Sequence, residues 1–189
     1  MSTIALEQKR VSNWIKDLCL ITGSSLLIGL FAHIAIPLPF TPVPLSTQGT
    51  LILLLSVFLG SKRAPAAVAL FLAQGACGLP VFAFGGAGIE RFIGPRGGYL
   101  FGYFVAAYVV GKIVEMAKER TLLNAFSAMA VGNAVLFFFG AAWLSSFVGG
   151  IQQALLLGVV PFLLGDLLKL GLSLKVLQWM GWSKCSGKR

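Results

Sequence analysis

The sequence is poor in charged residues and especially in acidic ones. Only 11% of its 189 residues are charged and 57% are hydrophobic, whereas about 25% of the residues of a typical soluble domain are charged. This composition excludes a water-soluble globular protein. Six acidic residues stand against 15 basic ones, for a formal charge of +9. In so apolar a chain we expect this excess to set orientation in a membrane rather than to bind nucleic acid.

Histidine and cysteine are scarce as well. The single histidine and the cysteines Cys19, Cys77 and Cys185 include no pair at the spacing of a metal site or a redox motif. We therefore expect no metal and no cofactor of the chain's own. An intramembrane aspartyl protease needs two carboxylates that share a proton. Only one acid, Asp166, lies within an apolar run, so this class of enzyme is excluded too.

Long apolar runs dominate the chain. They fall at about 18–36, 45–60, 65–84, 98–114, 125–147 and 154–178. A helix needs about 20 residues to cross roughly 30 Å of hydrocarbon, so six such helices leave no room for a separate soluble domain. We predict an all-α membrane protein with six transmembrane helices, forming one integral membrane domain over residues 1–189.

The basic residues indicate how these helices are oriented. With the N-terminus in the cytoplasm, 12 of the 15 basic residues fall in cytoplasmic segments. They are Lys9, Arg10, Lys16, Lys62, Arg63, Lys112, Lys118, Arg120, Lys175, Lys184, Lys188 and Arg189. The outward loops hold only Arg91 and Arg96. Because cytoplasmic loops are enriched in Lys and Arg, we predict that both termini are cytoplasmic.

Asp166 and Lys169 lie about halfway along the last apolar run, in FLLGDLLKLG. Their spacing of three places both side chains on one face of a helix. An ionisable residue at mid-membrane costs about 2.5–3.5 kcal/mol, so the pair must face the bundle interior or a cavity. Two interpretations stay open: an ion pair that only joins helices, and a polar site for a small ligand.

Two predicted outward loops have unusual compositions. The proline loop, residues 37–48, reads PLPFTPVPLSTQ and has four prolines in eight residues. This composition favours an extended, rigid segment, which we expect to act as a lid over a ligand, with Thr41 and Gln48 among its polar side chains. The glycine loop, residues 78–98, carries both outward arginines. Arg96 is a candidate for an anionic ligand, although either arginine could equally be a solvated loop charge.

Other candidates rest on single residues. Gln74 in the third run and Gln48 at the start of the second are able to turn a hydrogen bond inward, and Tyr99 offers an aromatic wall. Ser25 and Gly29 are small residues one helical turn apart in the first run. Such rows let helices approach closely in lipid, either within the bundle or at a face that binds a partner.

Four motifs together resemble the BioY family, the biotin-binding S components of energy-coupling-factor (ECF) vitamin transporters. They are PLPFTPVPLSTQ, GLPVFAFGGAG, GPRGGYLFGY and LLGDLLKLG. The resemblance extends from about residue 23 to residue 175, with the motifs in order and at matching spacing.

The resemblance implies a six-helix S-component bundle in the bacterial cytoplasmic membrane that captures biotin from outside and is not an enzyme. It implies that Asp166 and Lys169 line the biotin pocket and that the proline loop closes over the ligand. It further implies that Ser25 and Gly29 bind a transmembrane coupling subunit, while two cytoplasmic ATPases hydrolyse ATP. Alternatives are an S component for riboflavin or thiamine, and a small intramembrane lipid-modifying enzyme with Asp166 as its base.

Overall fold

The structure is a computed structural model that describes residues 3–182, with side chains for residues 13–44 and 46–182. The helices are α1 Thr3–Ala32, α2 Gln48–Ala76, α3 Glu90–Ile93, α4 Gly97–Met116, α5 Leu122–Val148, α6 Ile151–Gly158 and α7 Val160–Trp179. Strand β1 Ala35–Ile36 pairs antiparallel with β2 Leu45–Ser46. The predicted basic tail, with Lys184, Cys185, Lys188 and Arg189, lies outside the described residues.

Several helices are long and apolar enough to cross a membrane. Within residues 3–182, four helices meet this condition of length and composition by themselves, at Asn13–Ala32, Gln48–Ala76, Gly97–Met116 and Leu122–Val148, and α6 with α7 forms a fifth as a pair bent by 41°. Their outer faces carry many exposed Leu, Ile and Phe side chains, as expected of surfaces in contact with lipid. The protein is therefore an all-helical, multi-pass membrane protein.

Helix α2 reverses direction at Gly60. This residue has φ 78° and ψ −177°, a conformation that favours glycine. Gln48 lines a cavity together with Leu100, and Leu72 lines a groove together with Phe101. A straight helix would hold Gln48 and Leu72 about 36 Å apart. The two halves of α2, 48–59 and 61–76, therefore lie beside α4 and run in opposite directions to each other.

The tight turn at Gly60 is held by α4. The backbone N–H of Ser61 donates to Glu115 Oε1 at 2.8 Å, and its hydroxyl donates to Oε2 at 2.6 Å. A Cβ on Gly111 would meet the backbone of Gly60 and Ser61, so the close approach requires glycine there. On the same side of the molecule, Arg63 forms an ion pair of 2.6 Å with Asp17 of α1.

Some predicted boundaries were wrong. The third apolar run was placed at 65–84, but α2 ends at Ala76. Gly78 follows with φ 96°, a conformation outside the helical region, and the chain continues through a 3₁₀ turn at Ala83–Gly85. The first run was extended to residue 36, but α1 ends at Ala32 and the chain enters β1.

The last apolar run, predicted as one span at 154–178, is broken at Val159 between α6 and α7. Pro161, two residues later, has no N–H to donate to the preceding turn. The N–H of Phe162 bonds to Val159 O at 2.9 Å rather than to Gly158 O. The freed Gly158 carbonyl accepts the Tyr99 hydroxyl at 2.7 Å instead. Because of this bond, α4 supports the bend that precedes Asp166.

Candidate functional site

Two small cavities lie beneath the proline loop. The first, here named the arginine-side cavity, has a volume of about 70 Å³ and is lined by Val43, Pro44, Ser46, Gln48, Phe82, Ala83, Arg91, Arg96, Tyr99, Leu100 and Tyr103. The second, the aspartate-side cavity, has a volume of about 40 Å³ and is lined by Val43, Pro44, Ser46, Gly49, Thr50, Tyr99, Tyr103, Leu136, Phe137, Phe162 and Asp166. Because loop residues and tyrosines are common to both linings, the cavities are adjoining parts of one site.

The proline loop is attached to the bundle by two cationic side chains. Arg96 Nε donates to the carbonyl of Pro42 at 2.8 Å, and Lys169 Nζ donates to the carbonyl of Ser46 at 2.8 Å. Within the loop, the hydroxyl of Thr41 accepts the N–H of Val43 at 3.2 Å. Its ends are joined by the β1–β2 pair. The loop therefore covers the site and depends on residues from α7 and the glycine loop.

Asp166 and Lys169 are together, as their spacing predicts. Lys169 Nζ lies 3.2 Å from Asp166 Oδ1, and the two side chains are 21% and 15% exposed. Asp166 lines the aspartate-side cavity, and the side chain of Asn133 on α5 faces its carboxylate. The ammonium group of Lys169 donates to this carboxylate and to the Ser46 carbonyl. Both of these contacts are therefore made within the protein.

Two guanidinium groups stand at the opposite side of the site. Arg91 and Arg96 both line the arginine-side cavity, and Arg96 lies 6.0 Å from the ring centroid of Phe84. Burial lowers the pKa of Arg96 from its ordinary value, and the charge of Arg91 lowers it further. The guanidinium of Arg91 lies over Gly86, where a Cβ would be 2.9 Å from Cζ. This arrangement concentrates positive charge.

Gln48 has a donor without a protein partner. Its side chain is 4% exposed, and Nε2 has no hydrogen-bond partner among the residues that the structure describes. A buried amide N–H that stays unsatisfied costs about 1–3 kcal/mol. Because Gln48 also lines the arginine-side cavity, a ligand acceptor there is the natural partner for this donor.

Two of the predicted site residues lie elsewhere. Gln74 accepts a hydrogen bond of 3.0 Å from the hydroxyl of Ser25 and lines neither cavity. It joins α2 to α1. Thr41 also lines neither cavity, and its hydroxyl orders the proline loop. Tyr99 lines both cavities with its ring, while its hydroxyl is bonded to Gly158.

The structure places Ser25 and Gly29, which we predicted to bind a partner, against other parts of the same chain. Ser25 is 0% exposed and bonds to Gln74. A Cβ on Gly29 would lie 3.4 Å from Val81 and 4.0 Å from Phe71. The row therefore packs against α2 and the glycine loop within the protein. The sequence shows the spacing of small residues but not which neighbour they contact.

Sequence reasoning missed several residues that line the site. Ser46 lines both cavities, and so does Tyr103, which the sequence indicated only as a possible aromatic wall beside Tyr99. Asn133 is a polar amide within the fifth apolar run, and the sequence could have indicated it on the same ground as Gln48. Phe162 lines the aspartate-side cavity, but nothing in an apolar run distinguishes it from its neighbours.

The arrangement has opposite polarity at its two sides. Asp166 offers carboxylate acceptors to N–H donors, whereas Arg91, Arg96 and Gln48 offer donors to an anion or a carbonyl. Between them lie apolar and aromatic side chains, which include Val43 and Pro44. Such a site suits a ligand with N–H groups at one end, a carboxylate at the other and an apolar middle.

Comparison with known proteins identifies the family. The sequence profile of the BioY family matches residues 4–182. The chain belongs to the BioY family. This confirms the resemblance found in the four motifs. A curated relative, the biotin transporter BioY of Thermotoga maritima, is 38% identical over 144 residues, covering 76% of this chain and 83% of the relative.

Other BioY proteins and a solved structure agree with this assignment. The probable biotin transporter BioY of Pyrococcus horikoshii is 34% identical, covering 68% of this chain and 74% of the relative. The crystal structure of the S-component for biotin from an ECF-type ABC transporter superposes with a TM-score of 0.81 at 26% identity. That match covers 89% of this chain and 92% of the solved one. The BioY chain described here therefore has the S-component fold.

Proposed function

We propose that this protein captures biotin at the outer face of the membrane and serves as the S component of an ECF transporter. The observation that supports this most directly is the polarity of the site, in a chain whose relatives are named biotin transporters. Asp166 lies at one side and Arg96 with Gln48 at the other. Biotin has complementary groups at its two ends.

The proposed binding mode follows from this complementarity. One ureido N–H group donates to the carboxylate of Asp166, and the carboxylate of biotin accepts from Arg96. The thiophane ring and the valeryl chain lie along Val43, Tyr99 and Tyr103. Gln48 Nε2 donates to an oxygen of the ligand. The carboxylate of biotin and a ureido N–H group then have partners, as buried polar groups require.

Binding requires the proline loop to move. The two cavities have volumes of about 70 and 40 Å³, whereas pockets for ligands of this kind measure about 300–1,000 Å³. Val43, Pro44 and Ser46 of the loop line both cavities. An outward shift of these residues joins the two spaces. The loop thus acts as the lid that its prolines suggest.

We further propose six transmembrane spans with both termini in the cytoplasm. The spans are α1, the two halves of α2, α4, α5, and α6 with α7. The reversal at Gly60 supports this count, since it puts Lys62 and Arg63 at the opposite end of α4 from Arg96. Basic residues at the turn favour its cytoplasmic location.

The chain needs no cofactor of its own in this proposal, because partners supply the energy of transport. These partners are a transmembrane coupling subunit and two cytoplasmic ATPases, as in other ECF transporters. The open small-residue face of α1 is a better docking surface than the buried Ser25–Gly29 row. Cys19 is exposed, and a Cβ on Gly23, one turn later, would meet nothing within 4 Å.

A binding assay tests the function. The purified protein in neutral-lipid nanodiscs should bind radiolabelled biotin, and unlabelled biotin should displace it. Riboflavin and thiamine at the same concentrations should not. Displacement by either vitamin would favour the alternative S component, and failure to bind biotin would refute the proposal. Specific binding of biotin would also argue against the alternative of a lipid-modifying enzyme.

A further inference from the structure

A groove lies on the outer surface beside the proline loop. It has a volume of about 410 Å³ and is lined by Pro42, Glu90, Arg91, Gly94, Pro95 and Arg96. Arg91 and Arg96 also line the arginine-side cavity beneath the loop. The two guanidinium side chains therefore stand between the outer groove and the inner site.

The positive charge of this groove is only partly neutralised by the protein. Among the described residues, the ion pairs within 4.0 Å are Arg63–Asp17 and Lys169–Asp166, so neither groove arginine has a carboxylate partner. Glu90 borders the groove, but its carboxylate lies over Gly88, which has no side chain to occupy that space. Two cations and one anion leave the groove with a net positive charge, which suits a carboxylate.

Arg91 and Arg96 have different constraints. Arg96 is tied to the loop by its 2.8 Å bond to the Pro42 carbonyl, so its position changes when the loop moves. Arg91 makes no such bond to the loop among the described hydrogen bonds. Its guanidinium is seated against Gly86, and a Cβ there would lie 2.9 Å from both Cζ and Nε. Arg91 thus keeps its charge in the groove whether the loop is closed or open.

We propose that this groove is an external encounter site for the carboxylate of the substrate, in which Arg91 makes the first contact. This inference rests on the proposed function. The carboxylate is attracted to Arg91 while the proline loop is closed. It then replaces the Pro42 carbonyl as the partner of Arg96, which frees the loop to move. Arg91 determines the rate of association, and Arg96 acts in the bound state.

Association kinetics test this inference. In neutral-lipid nanodiscs at low ionic strength, the Arg91→Gln variant should bind biotin about 3- to 10-fold more slowly, because a charge that steers a ligand acts on the association rate. The dissociation rate should change less than about twofold. Raising the salt concentration should slow association of the wild type toward that of the variant. Biotin amide, which carries no negative charge, should bind both proteins at the same rate.

Two further variants serve as controls. Arg91→Lys keeps the charge and should keep most of the salt dependence, because steering depends on charge more than on the geometry of a guanidinium. Lys62→Gln removes one positive charge at the exposed turn on the opposite side and should leave the association rate for biotin unchanged.

The outcomes separate the inference from the function on which it rests. Wild-type protein that does not bind biotin refutes the proposed function. Wild-type binding with an unchanged association rate in Arg91→Gln refutes the encounter site alone. A faster dissociation rate with an unchanged association rate would also refute it, because Arg91 would then be a ligand of bound biotin.

Discussion

The ammonium nitrogen of Lys169 lies 2.8 Å from the carbonyl oxygen of Ser46, a residue 123 positions earlier in the chain. This bond joins α7 to the end of the proline loop. Lys169 also contacts Asp166 at 3.2 Å. A residue predicted to bind ligand thus holds the lid over the site, while its neighbour Asp166 faces the cavity. Opening of the lid must break the bond between Lys169 and Ser46.

Asp166 and Lys169 should therefore differ in their kinetic effects. Asp166→Asn should weaken biotin binding by about 1.5–3 kcal/mol, the range for hydrogen bonds to charged groups. Lys169→Met should chiefly release the loop, so that hydrogen exchange at residues 43–47 rises and biotin dissociates faster. Exchange measured by mass spectrometry and a dissociation assay check these expectations. Unchanged loop exchange in Lys169→Met would contradict the role of Lys169 as a tie.

The double variant Asp166→Asn with Lys169→Met separates stability from binding. Asp166→Asn leaves Lys169 without its opposite charge in the membrane, and Lys169→Met leaves the carboxylate of Asp166 without its hydrogen-bond donor. Each single change should therefore be destabilising. The double variant should recover thermal stability but not biotin affinity. Wild-type affinity in the double variant would reduce the pair to a link between helices.

Gln48 is a buried amide and Gln74 is a half-buried one, so the same substitution at each position allows a direct comparison. Gln48→Met removes a donor that has no partner among the described residues, so the ligand-free protein should become more stable by about 1 kcal/mol. Biotin affinity should fall at the same time. Gln74→Met removes the acceptor of the Ser25 hydroxyl, so stability should fall while affinity is kept. Thermal unfolding and equilibrium binding measure both. A loss of stability in Gln48→Met would contradict the assignment of Gln48 to the ligand.

Thiol labelling tests the reversal of α2. Cys77 is exposed just beyond the end of α2, and Lys62 is exposed at the turn. With the other cysteines replaced, Cys77 should react with an impermeant reagent in intact cells. In a cysteine-free background, the Lys62→Cys variant should react only after lysis. Labelling of both positions in intact cells would exclude the six-span arrangement.

The two glycines of α1 distinguish an internal face from an open one. A Cβ on Gly29 already approaches Val81, whereas one on Gly23 meets nothing within 4 Å. Gly29→Trp should impair folding and biotin binding together. Gly23→Trp should fold and bind normally but lose ATP-dependent uptake and co-purification with the coupling subunit. Normal uptake by Gly23→Trp would place the docking surface elsewhere.

The sequence by itself determined the membrane class and the local geometry of the charged pair. Scarce charge and long apolar runs exclude a soluble fold, because the chain has too few polar groups to cover a surface in water. The spacing of Asp166 and Lys169 placed them on one helix face, since residues three apart are neighbours on a helix. Prolines in residues 37–44 indicated a rigid, extended loop because proline restricts the backbone wherever it occurs. Each of these inferences depends on residues close together in the chain.

Tertiary structure decided which buried polar groups face a cavity. Gln48 and Gln74 are alike in sequence, but one has the Ser25 hydroxyl as its partner and the other faces a cavity. Ser25 and Gly29 have the spacing of a docking row, yet their neighbours lie in α2 and the glycine loop. A helical pattern fixes which residues share a face but not what that face meets, because the partners come from segments 49 to 123 residues away. Only the packing of these segments brings Arg96 to Pro42 and Lys169 to Ser46, and so closes the site.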